Sequence, residues 1–142
     1  MQISSRFTVA VHVLVCIEAF KNSRKVTSGF LASSVNVNPV VIRRILQQLK
    51  GAGIVTVARG SGGADIARPV EEVTLLDLYN AVECVDDGAL FHFHQDPNQL
   101  CPVGRNIHAV LDGRLEEIQR AMEREMESVT IRDIVEDTKS LM

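Results

Sequence analysis

Apolar positions recur at helical spacing over most of the chain, and the breaks between the repeats predict its elements. Val9, Val13 and Ile17 mark one side of a first helix, capped by Ser4 or Ser5 and running to about Phe20. A polar, basic loop follows, KNSRK (21–25), and then a short helix over Ser28–Val35 with Thr27 as its cap. VNVNP reads as a turn in which Asn38 suits an N-cap and Pro39 the first helical position. The third helix reaches about Lys50, where GAG (51–53) stops it. The pattern then changes. IVTVA (54–58) and ADIA (64–67) read as strands from their β-branched content and brevity, and Pro69 closes the second. TLLDLYNAVE (74–83) is a fourth helix capped by Thr74, and 84–99 is an irregular linker. From about Pro102 to Ser128 one long helix carries Ile107, Leu111, Leu115, Ile118, Met122 and Met126 in a single stripe. At ~1.5 Å per residue it is about 40 Å long, with few partners of its own to cover it. Ser128 or Thr130 starts a last short helix.

Between the strands lies RGSGGA (59–64). Glycines so closely set can cradle a phosphate, but a phosphate loop leads into a helix whose N-terminus faces the anion. This one leads into a strand and a proline, with no Gly-Lys-Ser/Thr signature, so the glycines supply positive φ for a tight hairpin. Helix, helix, turn, helix and hairpin make a winged helix-turn-helix. The expected fold is mostly α with a small β-hairpin wing, plus a long dimerisation helix. The expected division is 1–83 for the winged head, 84–99 for the linker and 100–142 for the dimerisation helix and the C-terminal helix.

Projection of the third helix puts Ile42, Ile45, Leu46 and Leu49 on one side as core, and Val40, Arg43, Arg44 and Gln47 on the other. A solvent face usually mixes acids with bases. This one has no acid and an exposed valine. Arginine suits guanine, glutamine suits adenine, and valine can touch a thymine methyl. Asn38, Pro39 and the free amides at the helix start can meet phosphates. Arg59, with Gly60 and Ser61 at the hairpin tip, is placed to lay a cation into a minor groove. Arg6, and less specifically Arg24 and Lys25, are candidate phosphate contacts.

Charge changes the picture in the same direction. The net charge of −3 conceals nine basic against two acidic residues in 1–70, net +7, and six against sixteen in 71–142, net −10. The basic half suits a polyanion. The apolar run 7–20 contains His12 and Glu18, lacks a cleavage site and is too short to span a bilayer, so it reads as a buried helix. Three cysteines at wide spacing make no disulfide framework, and a cytoplasmic location without membrane contact is expected.

Other chemistry is thinner. Cys101 precedes Pro102 at a helix start, where the dipole lowers a thiol pKa, and is a redox candidate; its alternative is a small apolar or capping residue. Cys16 reads as core. FHFH (91–94) sets His92 and His94 on one side of an extended segment and Phe91 and Phe93 on the other. With Cys101 the histidines form only a weak metal pattern, so no metal is expected. His108 is expected in solvent or on the seam of the long helix, and Asp96, Pro97 and Asn98 as a turn. Cys101, a histidine and Asp96 or Asp112 could be assembled into a nucleophile and base, but no spacing asks for it, so no enzyme is expected.

SSRFTVAVHVL, LASSVNVNPVVIRRILQQLKGAGIVTVARGSGGA, TLLDLYNAVE and CPVGRNI together resemble the Rrf2 family of bacterial regulators, over nearly the whole chain. The resemblance implies a homodimeric winged-helix transcription factor, usually a repressor. It implies that the third helix enters the major groove, that Arg59 enters the minor groove and that the long helices cross in the dimer. Cluster-binding members carry three cysteines between the fourth helix and the long helix. Here that region offers Cys101, with Cys84 at the end of the fourth helix, so no iron–sulfur cluster is expected. The function expected is sequence-specific binding of double-stranded DNA at a pseudo-palindromic operator by a homodimer joined along Ile107, Leu111, Leu115, Ile118 and Met122. The alternative is a dimeric protein-interaction module that has lost DNA binding.

Overall fold

Everything in the head is arranged around the first helix. In the computed structural model, which describes residues 3–60, 62–82 and 88–142, α1 (Arg6–Phe20) buries Ala10, Val13, Leu14, Cys16 and Ile17. Its sequence is apolar on nearly all sides, so it needs neighbours on nearly all sides. It has them in α2 (Ser28–Val35), α3 (Pro39–Gly51), α4 (Leu75–Ala81), α6 (Ile131–Ser140) and the hairpin. Leu31, Ile42, Ile45, Leu49, Ile54 and Leu78 are fully buried around it. Each such side chain contributes about 1.5–3 kcal/mol by leaving water.

The local rules held at the helix starts. Thr27 Oγ1 accepts the Phe30 amide, and Asn38 Oδ1 accepts that of Val40 with Pro39 at the first helical position. Thr74 and Asp77, and Thr130 and Asp133, close reciprocal capping boxes on α4 and α6. At α1 it is Ser4 Oγ that accepts, from the Arg6 amide at 3.2 Å, while Ser5 makes no side-chain capping bond. Asn36, in the left-handed region with φ of 63°, ends α2 and turns the chain toward α3.

β1 (Val55–Val57) and β2 (Ala64–Ile66) pair antiparallel, with Val55 opposite Ile66 and Val57 opposite Ala64. The hairpin is tied to the head by the Ala64 amide, which donates to the Val26 carbonyl. Gly63 has φ of +83°, and a Cβ there would come within 3.0 Å of Val26 backbone. Only glycine lets the hairpin lie this close.

α5 (Pro102–Glu127) differs from the other α-helices: none of its 26 residues is buried. It packs on α4. The expected stripe is divided by the structure. Met122 and Met126 pack against the head's own core, whereas Ile118 is 53% exposed. Ile107, Leu111 and Leu115 are half-buried. Val103 and Val110, on the neighbouring row, are 69% and 60% exposed.

α6 was expected with α5 in residues 100–142. It returns to the head, where Ile131 and Val135 join the core and α6 packs on α1. The Ile131 amide donates to the Val73 carbonyl, and the Leu75 amide to the Val129 carbonyl. The linker is irregular where described, and Gln119 of α5 holds it: Nε2 donates to the Gly88 carbonyl at 2.6 Å and Oε1 accepts the Leu90 amide at 2.9 Å.

Candidate nucleic-acid interface

α3 is amphipathic as projected. Ile42, Ile45, Leu46 and Leu49 are buried, and Val40, Arg43, Arg44 and Gln47 are exposed. The buried row holds the helix against the head and so fixes the direction of the polar row. Two concavities border that row. A shallow depression of about 410 Å³ is lined by Arg6, Val40, Arg43, Arg44, Gln47 and Gln48. A narrower groove of about 180 Å³ runs between α3 and the wing, from Arg43 and Gln47 past Ser28 to Gly60. Arg6, Asn38, Pro39, Arg59 and Gly60 are exposed, and Gly60 has φ of +68°. Ser61 lies outside the described residues.

The electrostatics suit a polyanion. Among the described residues no carboxylate pairs with Arg43, Arg44 or Arg59. Lys21, by contrast, pairs with Glu18 at 2.6 Å. Arg24 stacks its guanidinium 3.9 Å above the Phe30 ring, which orients it at the edge of α2. Asn38 Oδ1 is committed to the Val40 amide. What Asn38 offers outward is therefore the other end of its amide.

Sequence reasoning missed Gln48 and Ser28. Gln48 Oε1 is buried without a hydrogen-bond partner beside Arg6 and Arg44. Its position at the margin of the projected polar row was the available signal. Ser28 at the start of α2 had none, because only the fold brings it to the wing.

The thiols are far apart in setting. Cys16 is buried in α1, and Cys101 is exposed at the start of α5. Cys84 lies outside the described residues. The amide of Gly104, and after it that of Val103, holds the Cys101 thiol below its ordinary pKa, though no side-chain capping bond closes there. Gly104 has its own reason: a Cβ would lie 2.5 Å from the Asn98 carbonyl oxygen. Asn98 in turn makes the tight turn before α5, accepting the Leu100 amide, and Asp96 has φ of 54°.

FHFH does not alternate against one surface. Phe93 and His94, adjacent in sequence, both approach His108, at ring-centroid distances of 6.4 and 5.0 Å. His108 Nδ1 lies 3.0 Å from Asp112, and His92 is exposed. Among the described residues no group of three or more His, Cys, Asp and Glu side chains converges to hold a metal.

Residues 3–137 match the family model described as "Rrf2: Iron-dependent Transcriptional regulator". The chain belongs to the Rrf2 family. The "Putative HTH-type transcriptional regulator YwnA" of Bacillus subtilis (strain 168) is 41% identical over 133 residues, which is 94% of this chain and 96% of that one. A crystal structure described as that of a "putative DNA binding protein" is 37% identical, covers 92% of this chain and 98% of its own, and superposes with a TM-score of 0.71. T. potens IscR is 17% identical over all of this chain and 92% of its own, with a TM-score of 0.73, and shows the shared fold. This Rrf2 chain is thus a transcriptional regulator on a DNA-binding winged-helix fold, not an enzyme. No helix among the described residues is long and apolar enough to cross a membrane.

Proposed function

We propose that this Rrf2 regulator works as a cytoplasmic homodimer that reads a pseudo-palindromic operator and represses transcription. The observation that carries the reading is the α3 face: two arginines and a glutamine, exposed, unopposed by acid and continuous with the wing through one groove. α3 enters the major groove, with Arg43, Arg44 and Gln47 toward base edges and Val40 toward thymine methyls. Arg59 enters the flanking minor groove. Asn38, Pro39 and Arg6 lie toward phosphates, with Gly60 and Ser61 giving the wing its close backbone approach. Val103, Val110 and Ile118 of α5, with Ile107, Leu111 and Leu115 beside them, pair with the same row of a second copy and set the two heads about one helical turn (~34 Å) apart. The seam proposed from sequence extends to Met122, whose present contacts are with its own head.

The regulator works without an iron–sulfur cluster, and Cys101 is a reversible thiol switch. Its exposure and its lowered pKa at the start of α5 support that role. Oxidation there would act on the helix that spaces the heads.

The test is binding of reduced protein to the DNA upstream of its own gene. A dimer neutralising ~6–10 phosphates loses roughly 10³–10⁵ in affinity between 50 and 200 mM salt. Peroxide should weaken specific binding, and Cys101→Ser should make it indifferent to peroxide. Binding that ignores salt would return the chain to the protein-interaction reading.

A further inference from the structure

The face of the head formed by α1, the end of α2 and α6 holds an open cleft of about 460 Å³ that the DNA reading does not use. That size falls within the range of small-molecule sites. Val11, Val15, Ala19 and Phe20 of α1 and Ile134 of α6 give it apolar walls. One edge is polar and connected. His12 Nε2 lies 2.9 Å from Ser34 Oγ, and Ser34 Oγ lies 3.2 Å from Cys16 Sγ. The chain of three runs from an exposed imidazole through an exposed hydroxyl to a buried thiol, so it presents donors and acceptors along one edge of the cleft. Among the described residues no Asp, Glu, Lys or Arg side chain lines it.

We propose that this cleft binds a small, uncharged molecule with an apolar body and a single hydroxyl head, the head joining the His12–Ser34–Cys16 chain. The apolar walls take the body. Ser34 can accept from the hydroxyl or donate to it, because the imidazole tautomer and the serine rotor adjust together. A charged ligand would lose its hydration against walls to which no Asp, Glu, Lys or Arg side chain of the described residues brings a counter-ion.

The site is also placed to act as an effector site, a role that rests on the DNA reading above. Ser34 lies two residues before Asn36, whose left-handed conformation ends α2, and Asn38 then caps α3. A ligand that pulls on Ser34 therefore acts on the bend that orients the recognition helix.

The test uses 4-ethylphenol as the probe and ethylbenzene as its headless counterpart, followed by methyl NMR of the full chain without DNA. The expected result is saturable shifts centred on Val11, Val15 and Ile134. Ser34→Ala, an exposed helical site that alanine suits, should weaken 4-ethylphenol about fivefold or more, and ethylbenzene should bind correspondingly weakly. Ala19→Trp should fill the cleft and remove the shifts; the wild-type comparison of the two probes stands even if that variant fails to fold. No saturable shift, or equal binding of both probes, would overturn the site. Because this arm needs no DNA, its failure is distinct from a failure to bind an operator. At saturating probe, operator affinity should change about fivefold or more; an unchanged affinity would overturn the effector role.

Discussion

The head and the long helix solve the same problem differently. α3 has apolar residues on one side, and its own chain covers them: Ile42 and Leu49 are fully buried. α5 is twice as long and has no fully buried residue, with Val103 and Val110 more than half exposed. Exposed apolar rows of this extent mark an interaction surface rather than a finished fold. The two halves also differ in charge, net +7 over 1–70 against net −10 over 71–142. The head is complete and offers a polar surface to a polyanion. The helix leaves an apolar row uncovered, and on the proposed reading a second copy covers it.

The comparison breaks most visibly if α5 is made polar. Val110→Glu should yield a folded monomer, seen as halved mass by sedimentation with an unchanged far-UV spectrum, and operator affinity should fall by about 10²–10⁴-fold as bivalent binding is lost. A variant that stays dimeric would show that the exposed row is not the seam.

The converse substitution belongs to the head's core. Leu49→Ala should cost about 2–5 kcal/mol of stability in denaturant unfolding, because it leaves a cavity in the core that holds α3. A cost under 1 kcal/mol would mean that the row holding α3 in place is less tightly packed than its burial implies.

Arg43→Ala should leave stability within about 0.5 kcal/mol, as a surface change does, while costing ~1–3 kcal/mol of operator binding and relaxing preference at one base pair. Equal affinities on matched and mismatched operators before and after the change would place Arg43 on a phosphate. The smallest effect is at Cys101. Because its pKa is lowered, its thiolate is populated at lower pH than that of an ordinary cysteine. Alkylation followed against pH should therefore reach half its maximum below the midpoint of a free-cysteine peptide. A midpoint at or above that of the peptide would remove the amides of Gly104 and Val103 as its cause.

The head was the more legible half because its signals are local. Thr27, Asn38 and Thr74 act within three residues, and the α3 core row repeats at one helical period. The glycines of the wing could be assigned to a hairpin because strands flank them. The rest depends on tertiary partners that no window contains. Ile131 and Val135 of α6 dock on α1, an all-round apolar helix whose periodicity does not say which neighbour takes which side. On α5 two adjacent rows merged into one apparent stripe, since residues three and four apart belong to either. Met122 faces home and Val110 faces out, and only the position of the head separates them. In the candidate site, Val40, Arg43, Arg44 and Gln47 follow from projection, whereas Ser28 reaches the wing groove only through the packing of α2 on α3. FHFH misled because alternation presumes a regular strand, whereas the segment is irregular and Phe93 and His94 both lie near the His108 ring.

The central claim is that α5 spaces two heads over successive major grooves. Hydroxyl-radical footprinting of the reduced protein on the DNA upstream of its gene tests it most directly. The account predicts two protected regions centred about 10 base pairs apart (~34 Å), flanked by minor-groove protection that Arg59→Ala removes. A single protected half-site bound by the intact wild-type protein, or two regions whose flanks do not respond to Arg59, would contradict it.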